Sequence, residues 1–113
     1  MATREYIIIK KVIKYIDKIN EYTANMNQSA FLADSKVVEA CVFNLLQIGE
    51  LIGKIDKEYR EANPNIPWHK IRGLRNKIVH DYEGVRLEII WDIVKSDLPT
   101  LHKQLINLIP SEV

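Results

Sequence analysis

The sequence predicts an all-α fold, an antiparallel four-helix bundle, on three observations. Apolar residues recur at three- and four-residue spacing through four long blocks. No stretch alternates with period two, and the dipeptides that turn β-hairpins are absent. With 113 residues, 47% of them apolar and 27% charged, the chain is sized for one domain, residues 1–113, that buries its own core.

The first block, about residues 3–25, sets Tyr6, Ile9, Val12, Ile13, Ile16 and Ile19 at helical spacing, with Lys10, Lys11, Lys14 and Lys18 largely between them. Isoleucine suits strands, but the period is helical and the block is too long for one strand. Residues 25–29, all polar except Met26, break it. The second block starts at Asp34 or Ser35, both good N-caps, and runs to about Ala62, ahead of Asn63-Pro64. Val38, Cys41, Leu45, Ile48, Ile52, Ile55 and Tyr59 alternate in steps of three and four, and Val42, Leu46 and Leu51 widen that surface. Gly49 and Gly53 either admit a close neighbour or weaken the helix. The third block opens at Pro67, well placed for a first helical turn, and stops at Glu83-Gly84. The fourth, about residues 86–109, carries Leu87, Ile90, Trp91, Val94, Leu98, Leu101, Leu105 and Leu108, and Pro99 inside it predicts a kink.

Composition excludes several functions. A net charge of +1 argues against a binder of polyanions that works by bulk charge, so any nucleic-acid site must be local. The single cysteine, Cys41, permits no disulfide framework; it lies on the core stripe without an adjacent base and is expected to pack. The start has no signal-peptide pattern, and no apolar run approaches a membrane span, so a cytoplasmic protein is expected. No HExxH or paired-ligand spacing occurs; neither metal nor cofactor is expected.

The informative segment runs from Trp68 to Tyr82. Between Ala62 and His80 there is no acidic residue, while Lys70, Arg72, Arg75, Lys77, His69 and His80 all occur. At about 100° per residue, Ile71, Leu74 and Ile78 share one helix face, and Arg72, Asn76 and His80 another. Arg75 falls only about 40° from Ile71. An arginine at a core edge must be paired or bind an anion. His80 stands about 140° from Arg75, so the two meet on one phosphate only if the helix bends or a second subunit contributes.

Arg75-Asn76-x-x-x-His80-x-Tyr82 resembles the Rx4HxY signature of the HepT-like toxins in the HEPN superfamily of metal-independent endoribonucleases. The resemblance extends to the isoleucine-rich first helix, Ile48-Gly49-Glu50, Pro67-Trp68, and Trp91 through Asp97-Leu98-Pro99. It implies a HEPN-like homodimer whose signature helices face each other across an RNA-binding cleft. It further implies a toxin whose partner, a nucleotidyltransferase antitoxin of the MntA type, transfers AMP to Tyr82. In that reading Arg75 and His80 are catalytic and Asn76 supports them.

Around these residues the sequence leaves choices open. Arg72 and Lys77 are candidates for RNA backbone binding, Arg72 with a surface salt bridge as its alternative. Trp68 either stacks on a base or anchors the helix start. Glu50 either pairs with Arg75 or Arg72 or faces solvent. His69 is expected at the surface and His102 in a structural role. The rival function is a non-catalytic helical partner of a nucleotidyltransferase that binds RNA or a nucleotide without cutting it.

Overall fold

The computed structural model describes residues 3–82 and 86–110, and of residues 80–82 it describes the backbone only. The described residues are mostly helical and contain no strand. The expected stop at Glu83-Gly84 lies outside them.

Helix α1 spans Thr3–Thr23 and turns Ile9, Val12, Ile16 and Ile19 fully inward, as its spacing requires. The polar break is shorter than the sequence suggests, because Asn27 caps a six-residue helix, α2 (Gln28–Ala33), by accepting from Ala30 N at 2.8 Å. Asp34 ends α2 and caps α3 (Ser35–Ile52), accepting from Val37 N at 3.1 Å. Helices α1 and α3 make the most extensive contact among the described elements. Their antiparallel setting shows at one end, where buried Glu5 of α1 accepts a hydrogen bond from Asp56 N, just beyond α3, at 3.4 Å.

That bond lies within a departure from the predicted second block. The block does not continue as one helix to Ala62: α3 ends at Ile52, and α4 (Lys57–Ala62) is separate. The chain tightens through Lys54 N to Leu51 O and Ile55 N to Ile52 O, and the Asp56 N–H is drawn to Glu5 instead of to a helix carbonyl. The apolar row survives the break, with Ile55 buried and Tyr59 half-buried against the rings of Tyr6 and Trp68.

The third block is divided at Gly73 into α5 (Trp68–Arg72) and α6 (Leu74–Tyr82). A Cβ on Gly73 would lie 3.3 Å from His69 O, tighter than side chains ordinarily pack. The fourth block comprises α7 (Leu87–Asp92), a π-helical turn (Ile93–Asp97) and α8 (Leu98–Ile106). Pro99 occupies the first turn of α8, where a missing N–H costs little, and the ladder widens in the turn just before it.

Phe31, Ile66 and Ile93 join the core from outside the predicted rows. Cys41 is buried there, and desolvation pushes its thiol from an ordinary 9.0 up to about 11, with the charge of Lys95 opposing the shift. That environment disfavours the thiolate, in keeping with a packing residue. His102 finds a partner that no local pattern indicates, Asp17 of α1 at 2.8 Å, joining α8 to α1.

A cationic cleft between α3 and the signature helix

The C-terminal turns of α3 and the α5–α6 segment approach closely because α3 carries glycine at the crossing. A Cβ at Gly49 would stand 3.4 Å from Ile71 O, 3.5 Å from Arg75 N and 3.7 Å from Arg72 O, which is ordinary contact with no room for more. Of the two sequence readings of Gly49, close approach is the one observed. Gly49→Ala should therefore fold as well as the parent or better, since alanine favours a helix by about 0.8–1 kcal/mol over glycine. Gly49→Leu should lose about 1–3 kcal/mol by forcing the two elements apart, a contrast that urea unfolding of the pair measures.

Beside this crossing opens a cleft of about 440 Å³. Glu50, Gly53 and Lys54 line it from the α3 side, and His69, Arg72, Arg75 and Asn76 from α5 and α6. Three permanent cations and an imidazole thus surround one carboxylate. Arg75 is paired: its Nη1 lies 3.7 Å from Glu50 Oε2. It is less buried than the helical wheel suggests, with its side chain 63% exposed and that of Glu50 54%. An exposed, long ion pair contributes at most about 1 kcal/mol, so it orients Arg75 without locking it away from an anion.

The structure brings Arg72, Arg75, Asn76 and Glu50 together, and separates two other candidates from them. Trp68 does not face the cleft and presents no ring for base stacking. It is 7% exposed, its Nε1 donates to Asn63 O at 2.9 Å, and it anchors the start of α5. Lys77 is exposed but is not among the residues lining the cleft. The side chains of His80 and Tyr82 lie outside the described residues. Conversely, His69 is exposed, as expected, yet it stands on the cleft wall. Its signal was a spacing: His69, Arg72, Gly73 and Asn76 follow at i, i+3, i+4 and i+7. Lys54 had no such signal, because it reaches the site from another element. Among the described residues, no three His, Cys, Asp or Glu side chains gather as a metal-ligand set.

The family described as Ribonuclease HepT-like matches residues 12–108. The chain belongs to this family. A protein of Methanocaldococcus jannaschii named "Putative RNase MJ1216" is 34% identical to this HepT-like chain, over 87% of it and 81% of the relative. The "Probable ribonuclease HepT" of Thermococcus cleftensis is 32% identical over 82% of this chain and 84% of its own. A "Putative RNase" of Caldanaerobacter subterraneus subsp. tengcongensis is 30% identical over 92% of this chain and 93% of its own. No solved structure matches the HepT-like chain at a significant level.

Proposed function

We propose that this HepT-like protein is an endoribonuclease that cuts RNA without a metal, and that it acts as the toxin of a toxin–antitoxin pair. The observation that carries the reading is the position of Arg75 and Asn76, the first two residues of the signature, on the wall of a cleft rich in cations.

RNA holds its own nucleophile. The 2′-oxygen attacks the adjacent phosphorus and gives up its proton to a base, the bond to the 5′-oxygen breaks, and that oxygen takes a proton from an acid. The products are a 2′,3′-cyclic phosphate and a 5′-hydroxyl. His80 carries the proton transfer, a role worth about 10²- to 10⁴-fold. Arg75 binds the phosphate by two parallel hydrogen bonds and offsets the charge that accumulates on its oxygens in the transition state. Asn76 orients His80 or donates to a phosphate oxygen, and Arg72 holds the backbone alongside. A homodimer answers the angular gap between Arg75 and His80, since the second protomer's signature helix can supply the histidine that acts on a phosphate held by the first protomer's Arg75.

A nucleotidyltransferase antitoxin silences the toxin by transferring AMP from ATP to Tyr82: the tyrosine oxygen loses its proton and bonds to the α-phosphorus, the bond to the β-phosphate breaks, and pyrophosphate leaves. The added nucleotide brings bulk and a negative phosphate to the helix that carries Arg75 and Asn76, which repels RNA and blocks it.

The test is to incubate purified protein of verified unmodified mass with total RNA in excess EDTA, beside His80→Ala. Cleavage by the parent alone is the expected result, and an intact RNA pool in both samples overturns the ribonuclease reading. Mass spectrometry after co-expression with the transferase should find AMP on Tyr82 and none on Tyr82→Phe.

A further inference from the structure

A second cationic hollow lies on the other flank of α3. Lys11, Lys14 and Lys18 follow at i, i+3 and i+7 on α1, so they share one face. With Tyr15 they line a depression of about 310 Å³, closed from the α3 side by Gln47 and Leu51. All three lysines are exposed, and none forms an ion pair among the described residues. The carboxylate next to them on α1, Asp17, is held by His102. Like charges one turn apart repel, and no described carboxylate lies within 4.0 Å of these ammonium groups.

The hollow is next to the cleft. Leu51, on its wall, follows Glu50, on the wall of the cleft, and Lys54 stands three residues further on. The two openings are therefore separated by the end of a single helix, about 10–12 Å across. We infer that the RNA substrate extends out of the cleft, over the end of α3 past Lys54, and onto Lys11, Lys14 and Lys18, which bind its phosphates without regard to sequence.

This rests on the ribonuclease reading for the identity of the ligand. Chemistry favours RNA over a second copy of the chain. Lysine is depleted from protein–protein interfaces, and a twofold contact here would set these ammonium groups against themselves. A polyanion instead gains from every counterion the lysines displace. Lysine is also a point charge without the planar fork that reads a defined partner, as suits sequence-independent backbone contacts.

The test compares the parent with Lys11→Gln/Lys14→Gln/Lys18→Gln by fluorescence anisotropy, using a 20-nucleotide single strand and a trinucleotide too short to leave the cleft. For the long strand, the triple variant should bind more weakly, and the slope of log affinity against log salt should flatten by about 2, near 0.7 for each of three phosphates. The trinucleotide should keep its parental slope. An unchanged slope for the long strand, equal loss on both RNAs, or dissociation of an oligomer in sedimentation overturns the proposal, the last by assigning the face to a second copy. If the parent binds the long strand through these lysines but cleaves no RNA, the surface stands and the ribonuclease reading falls.

Discussion

Arg75→Ala is expected to reduce RNA cleavage by about 10²- to 10³-fold, the usual loss when one charged donor is removed from a transition-state site. The structure explains why this should be a loss of chemistry and not of folding. The Arg75 side chain is mostly exposed, and its partner Glu50 lies at 3.7 Å, so the pair contributes at most about 1 kcal/mol to stability. Helix content and unfolding midpoint should therefore stay near the parent's. Arg75→Lys should recover only part of the activity, because an ammonium keeps the charge but cannot offer two parallel donors to one phosphate. Initial rates on a defined RNA, with circular dichroism and sedimentation of each variant, make the comparison. A variant that loses cleavage only because it unfolds or dissociates would return Arg75 to a structural role.

The largest expected effect on stability belongs to Phe31→Ala. Phe31 is fully buried on α2, a helix of six residues that could not persist alone. Its ring centroid lies 5.1 Å from that of Trp91 on α7, with the planes tilted by 42°. Removing a buried phenyl ring costs about 3–5 kcal/mol through lost burial and the cavity left behind. In a chain of this size the thermal midpoint should fall by about 4 °C or more per kcal/mol. Urea unfolding measures the loss, and amide exchange should rise first in α2 and α7. A loss below 1 kcal/mol would mean that the short helix is held by its Asn27 and Asp34 caps instead of by its aromatic contact.

Phe31 also illustrates what a linear reading misses. It stands between the polar break at 25–29 and the second block, in a stretch too short to display a period, and the packing of α2 on both α3 and α7 makes it a core residue. Trp68 is a choice that the sequence could not make. Next to Pro67 in a basic segment it suits either stacking or anchoring, and the acceptor that decides, Asn63 O, belongs to the turn before the helix. The long rows were legible because each is a property of one helix. Ile9, Val12, Ile16 and Ile19, or Leu45, Ile48 and Ile52, are buried where their spacing puts them.

The candidate site divides along the same line. The basic segment, its signature and the need of Arg75 for a partner were readable from residue types and intervals, and the family match agrees with the resemblance they carry. The breaks at Gly53 and Gly73 were not, nor was the convergence of Lys54 and His69 with Arg72 and Arg75; the pairing of Glu50 with Arg75 was one of the alternatives the sequence offered. By itself the sequence determined which residues of the long rows face the core and where positive charge accumulates, because amphipathic spacing acts within a single helix. Only the tertiary structure decided which charges share a cleft. That depends on how closely two helices cross at Gly49, and on backbone groups whose partners, such as Glu5 for Asp56, come from distant parts of the chain.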